Sequence, residues 1–365
     1  MSTETKATPE LRPQQLSPKN ITRIKIAGVL LTLGGIALFS YFVYSVGVRE
    51  ILDGVGRIGF LGFGIILFAY FLRICARAAA WRLCVYEPYY LRFKDTLAAV
   101  IIGEATSSMI PLGILVSGTT KAVAVRKRVP LVVGLSSVAT ENLFYSVITS
   151  TFLLIGAFLF LRTFDLPDAW RITVDVLIVG IGLLLVFLIL TVLRQWHFAS
   201  ELCEKLYARG IARGILENGR LDVRLFENLI YGFYRRYPKR FLPVCFFEVV
   251  FHLIGIFESW YILMKVSEAY PTLLTAFLLE SVSRLITIVF KLIPFVIGVD
   301  EAGAQFVTET LAIGAGVGVT LAIIRKGRIL FWTAVGLLLI VKRGLSFRDI
   351  TRATPIATGA DPRSE

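Results

Sequence analysis

The sequence predicts an all-α polytopic membrane protein of about eight transmembrane helices plus a re-entrant hairpin broken by glycine and proline. Three observations carry that expectation. Of the 365 residues 56% are hydrophobic and mean hydropathy is +0.73, well above a soluble domain. Apolar runs of about 20 residues, the length that crosses a bilayer, recur along the chain. Lys and Arg gather at the ends of these runs. With both termini cytoplasmic, 27 of the 39 fall on cytoplasmic segments, five on outer connectors and seven within spans. The positive-inside rule selects that orientation. A net charge of +13 suggests nucleic acid at first sight, but the basic residues flank membrane runs instead of interleaving with aromatics on a soluble face. No nucleic-acid partner is expected.

Residues 1–25 are polar with Pro9, Pro13 and Pro18 and read as a disordered cytoplasmic tail, ahead of a transmembrane domain over 26–343. Ile26–Val46 is the first span and Ile58–Ala78 the second. Arg73, Arg77 and Arg82 at the end of the second are positioned to snorkel toward headgroups. Asp95–Lys121 is apolar but interrupted by Gly103, Glu104, Pro111, Gly113 and Gly118, with basic residues on both flanks. Two cytoplasmic flanks make it a hairpin that dips in and returns, a kinked span being the alternative. Leu135–Leu161, which contains Glu141, and Ile172–Leu193 are further spans. Residues 194–240 carry ten Lys/Arg against five Asp/Glu and read as a basic amphipathic segment lying on an anionic leaflet surface. Phe241–Met264, Thr272–Ile293, Pro294–Ile313 and Val317–Val341 complete the spans, and 344–365 is a cytoplasmic tail.

Charge inside these spans marks the candidate site, because an ionised group near the bilayer centre costs at least about 2.5–3.5 kcal/mol and must face other helices or a wet cavity. Glu280 and Arg284, four apart, share a helix face and read equally as a structural pair or a ligand contact. Glu248 and His252 have the same spacing, with the histidine expected to pack rather than relay protons, and Glu258 is expected at the outer interface. Asp300 and Glu301 follow the break at Pro294–Gly298, so they read as helix N-terminal caps or as a polar wall for a headgroup. Arg325, Lys326 and Arg328 sit deep in the last span. Arg325 is the preferred phosphate contact, since guanidinium presents a bidentate fork to that anion. Glu301 and Arg325 are expected to face one cavity about 9 Å apart in depth if their helices are straight. The four cysteines show no CxxC spacing and the two histidines lie far apart, so neither metal nor cofactor is expected. No nucleophile–base or nucleotide-binding motif is present, which argues against an enzyme and leaves an intramembrane transferase as the alternative.

The stretch Pro294–Ala302, PFVIGVDEA, resembles the proline–glycine-rich stretch of the lysylphosphatidylglycerol synthase transmembrane region, the flippase-like part of the bacterial multiple peptide resistance factor. Pro294, Gly298, Val299, Glu301 and Ala302 agree with it, Asp300 stands where that family has arginine, and Phe295 and Val296 replace glycines. Arg325 with Trp332 and Gly336 is similar to the family's arginine-bearing last span. Pro111 and Gly118 through Lys121 resemble its proline–glycine–glutamate–arginine stretch, with Thr119 or Thr120 at the glutamate position. Glu141 matches a family glutamate, whereas Asn142 and Tyr145 replace the arginine and aspartate that follow. The resemblance runs from Ile26 to Arg343 and implies a stand-alone flippase-like protein in the bacterial cytoplasmic membrane. Without the aminoacyl-transferase domain, lipid aminoacylation is not expected. The implied partners are membrane lipids, whether phospholipid, glycolipid or hopanoid. An accessory scaffold of a lipid or glycan biosynthetic complex is the competing expectation, and a homo-oligomer or biosynthetic partner is compatible with either. The expected headgroup-binding set is Glu104, Lys121, Glu141, Glu280, Arg284, Pro294, Gly298, Asp300, Glu301 and Arg325.

Overall fold

The computed structural model describes residues 44, 48–109, 113–163, 168–194, 198–209, 224, 227–228, 230–268, 270–290, 296–311 and 313–343. Both expected tails, the span Ile26–Val46 apart from Tyr44, and the middle of the basic 194–240 segment lie outside them. Among the described residues the chain is helical, with no strand. Among the described residues these helices run in order: α1 Val48–Leu83, α2 Phe93–Met109, α3 Gly113–Ala124, α4 Leu131–Thr163, α5 Asp168–Arg194, α6 Phe198–Ala208, α7 Pro238–Val266, α8 Leu273–Val289, α9 Val299–Thr310 and α10 Ala315–Lys342.

Three of them contain stretches long and apolar enough to cross a membrane: Val55–Leu83, Leu131–Thr163 and Pro238–Val266. A shorter apolar stretch, Val174–Phe187, lies in α5, where Val176, Val179, Leu183, Val186 and Phe187 are exposed. An apolar surface of that kind is stable against lipid and costly against water. The chain is a multi-pass membrane protein.

Helices α1 and α7 pack along one another most extensively, with α2, α4, α8 and α10 around them. Ile66 of α1, Ile262 and Leu263 of α7, Leu279 of α8, Val307 of α9 and Leu321 of α10 form one buried core. Helix α1 kinks at Gly59, whose φ of 64° and ψ of 178° suit glycine alone. Helices α2 and α3 lie side by side as a hairpin, so close that a Cβ on Gly103 would stand 2.7 Å from Lys121 Cγ.

Within the expected span Pro294–Ile313 the described residues form only a short helix. The left-handed Gly298, φ 84°, delays the start of α9 to Val299, and Gly314, φ 115°, follows its end. Twelve residues at 1.5 Å each give about 18 Å, short of a hydrocarbon core of about 30 Å. Helices α8 and α9 therefore form a second broken pair, in which α9 packs on α10 and α8 on α4 and α7. The end of the basic segment also differs from a surface-lying helix. Phe233 and Tyr237 are buried against Tyr86 and Phe144, and Arg240 donates to the carbonyls of Leu83 and Val85 at the end of α1. Those terminal carbonyls lack helical partners, so a guanidinium there caps α1 and anchors the segment.

Candidate functional site

The interior charges converge from eight helices. Arg73 and Arg77 stand one turn apart on α1 and therefore point the same way. Glu104 comes from α2, Lys121 from α3, Glu141 from α4, Glu248 and Glu258 from α7, Glu280 and Arg284 from α8, and Arg325 and Arg328 from α10. Asp300 and Glu301 add the first turn of α9.

Glu280 is the hub. Its Oε1 accepts from Arg73 at 3.1 Å and Arg284 at 2.8 Å, and its Oε2 from Arg325 at 2.7 Å. Arg325 also donates to the hydroxyls of Ser259 at 2.6 Å and Ser283 at 2.5 Å. Glu258, 1% exposed, pairs with Arg328 and lies 3.5 Å from Arg73. Four guanidiniums thus share two carboxylates, leaving two formal positive charges without partners. Aromatic faces offset part of that excess: Arg73 sits 4.3 Å from the Phe251 ring and Arg328 4.2 Å from that of Tyr70.

A second cluster adjoins the first. Arg77 donates twice to Glu141 Oε1, at 2.9 and 2.6 Å, stacks 4.3 Å from Tyr145 and reaches Glu104 at 3.8 Å. Lys121 is 3% exposed and has no ion-pair partner among the described residues. His252 packs between Tyr145 and Phe152 and hydrogen-bonds Thr149 at 3.0 Å, a packing histidine as the sequence suggested.

These clusters wall a cavity of about 390 Å³. Its charged lining comprises six cations, Arg73, Arg77, Lys121, Arg284, Arg325 and Arg328, and three carboxylates, Glu104, Glu280 and Asp300. Ser107, Ser117 and Ser146 add hydroxyls, while Leu184, Ile288 and Ile329 give the wall an apolar flank. A void with an excess of fixed cations and an apolar side suits an amphiphile with an anionic head, because guanidinium and ammonium replace part of the hydration an anion loses on entry.

Of the residues expected to bind a headgroup, Glu104, Lys121, Glu280, Arg284, Asp300 and Arg325 line this cavity. Glu141 and Glu301 stand behind it, each held by a cation. Gly298 serves as the N-cap of α9, and Pro294 lies outside the described residues. Glu301 accepts from the Gly298 amide at 2.8 Å and pairs with Lys326 at 2.6 Å, so it is a cap and an ion pair, and its partner is not Arg325. Arg325, expected to hold phosphate, already has its donors committed to Glu280 and two serines. Glu258 is buried rather than interfacial. Arg73 and Arg77, expected to snorkel, are 2% and 9% exposed and central to both clusters, leaving only Arg82 exposed. Their one-turn spacing was the available signal. Spacing cannot distinguish a guanidinium that reaches lipid headgroups from one that meets a carboxylate on another helix.

The Glu301 assignment gives a direct test. In a double-mutant cycle on melting in detergent, Glu301→Gln and Lys326→Met should couple by about 0.5–3 kcal/mol, while Glu301→Gln and Arg325→Gln should be additive within about 0.5 kcal/mol. The reverse order would restore the Glu301–Arg325 pair.

Residues 25–336 match the family model described as the lysylphosphatidylglycerol synthase TM region. No curated protein and no solved structure matches the chain.

Proposed function

The chain belongs to the lysylphosphatidylglycerol synthase TM-region family, a membrane, lipid-related setting, and from that premise we propose that it moves a lipid with an anionic phosphodiester headgroup between leaflets. The observation that carries this reading is the excess of cations on the cavity wall. The guanidinium cluster has two unmatched positive charges, and Asp300 on the same wall offsets one of them. One phosphodiester offsets the other. The headgroup occupies the cavity beside Lys121 and Arg284 while the acyl chains leave past Leu184 and Ile288 into lipid. The protein acts as a transporter rather than an enzyme. It sits in the bacterial cytoplasmic membrane with both termini in the cytoplasm, and α2–α3 is re-entrant among about eight spans.

The test is movement of labelled phosphatidylglycerol, a zwitterionic phospholipid and a neutral glycolipid in proteoliposomes. Phosphatidylglycerol should cross fastest. Lys121→Gln should slow it about tenfold or more, because a charged hydrogen bond contributes about 1.5–3 kcal/mol. Melting of the same variant, measured in parallel, separates a loss of transport from a loss of folding. If no lipid crosses faster than in empty vesicles, the transport reading is wrong and a scaffold role takes its place.

A further inference from the structure

Glu141 and Glu248 meet across the α4–α7 interface, each about 15 Å along its helix from the N-terminal end. They are 1% and 0% exposed, and their carboxyls approach closely enough to share a hydrogen bond. Glu141 Oε1 is occupied by Arg77, but Glu141 Oε2 and both oxygens of Glu248 have no donor. Buried carboxylate oxygens without donors are costly, and two adjacent carboxylates cannot both carry charge cheaply. A single proton resolves both problems, since a carboxyl O–H on one residue donates to the other.

The surroundings supply no further donor. The ionisable groups acting on the pair are Arg77 of α1, Cys84 just past the end of α1, Lys121 of α3 and Cys245 of α7, with Glu104 of α2 reaching Arg77 at 3.8 Å. His252, one turn further along α7, is engaged by Thr149 and flanked by Arg284 and Glu280 of α8. Arg325 and Arg328 of α10 are committed to Glu280 and Glu258. Arg77 and Lys121 are the cations acting on the pair, and neither supplies a donor to Glu141 Oε2 or to either oxygen of Glu248.

We infer that Glu141 and Glu248 form a proton-binding site set directly behind the cavity wall. Arg77 is the link, because it grips Glu141 and also lines the cavity. With the proton bound, the field of Arg77 and Lys121 toward the cavity is offset by fewer carboxylates. When the proton leaves, both carboxylates draw on those cations and the cavity becomes less positive. Proton and anion therefore favour one another's binding, by a coupling that is necessarily reciprocal. This consequence rests on the transport reading above and makes the proton the coupling ion; the site itself does not depend on it.

Infrared spectroscopy of the purified protein in detergent, with no lipid ligand added, tests the site. Wild type at neutral pH should show a protonated-carboxyl band that is missing from Glu248→Gln, whose amide mimics the protonated acid and should melt no lower than wild type. Identical carboxyl absorption in the two proteins would overturn the assignment. In proteoliposomes, phosphatidylglycerol movement by wild type should respond to an imposed pH gradient, and the response should vanish in Glu248→Gln. Wild-type movement that ignores the gradient overturns the coupling. A wild type that moves no lipid overturns the transport reading, and the infrared band alone then decides the proton site.

Discussion

Glu280→Gln should be among the most damaging single substitutions in the chain, lowering stability by at least about 3–5 kcal/mol, the cost of stranding a buried charge partner. Three guanidiniums, those of Arg73, Arg284 and Arg325, converge on this one carboxylate. Glutamine keeps the shape and can still accept hydrogen bonds, but it removes the charge and turns an NH₂ donor toward other donors. Among the described residues Glu258 would be left as the only carboxylate paired with Arg73 and Arg328, with Arg284 and Arg325 unmatched. Thermal unfolding in detergent is the measurement. Glu280→Gln with Arg284→Gln should recover part of the loss, since one stranded cation is gone. A melting profile for the single variant matching wild type would show that the cluster is not held together by charge.

Gly255→Ala should be nearly as harmful, although alanine is the better helix former by about 1 kcal/mol. Gly255 lies in α7 where Glu280 and Arg73 cross it. A Cβ there would stand 2.6 Å from Glu280 Oε1 and 3.0 Å from the Arg73 guanidinium. An isolated carboxylate would rotate away at little cost, but this one is fixed by Arg73, Arg284 and Arg325. Moving it breaks the Arg73 contact first, and losses of a few kcal/mol from a disturbed buried pair exceed the gain in propensity. The net expectation is a destabilisation of about 2 kcal/mol or more. Combined with Glu280→Ala, the same change should become neutral or favourable, because the clashing atom is gone. If Gly255→Ala destabilises equally in both backgrounds, the cause lies in α7 itself and not in the ion cluster.

Much of this architecture is visible in local spacing. The expected spans at Leu135–Leu161 and Phe241–Met264 lie inside α4 and α7, the broken stretch at Asp95–Lys121 becomes the α2–α3 hairpin, and the i,i+4 spacing of Glu280 and Arg284 puts them in contact. Capping by Glu301 was likewise readable, because carboxylates favour a first helical turn. The cross-helix partners were not. Arg325 and Lys326 are neighbours pointing about 100° apart on α10, and that rotation alone sends one to Glu280 on α8 and the other to Glu301 on α9. The same uncertainty hid Arg73, Arg77 and Glu258, whose apolar surroundings in sequence fit lipid exposure and burial equally well.

By itself the sequence determined the membrane class, the helical content and the places where helices break, because hydropathy, backbone hydrogen bonding and glycine conformations act within a few turns of chain. It also determined that more than a dozen charges had to be kept away from hydrocarbon. Only the tertiary structure decided which of them pair, which face the cavity with their charge unmatched and which two carboxyls meet with no donor between them. Those outcomes depend on the rotation and crossing of helices far apart in sequence; Arg73 and Glu280, for one, are 207 residues apart. In such a crossing a shift of one residue exchanges a lipid-facing side chain for a buried one.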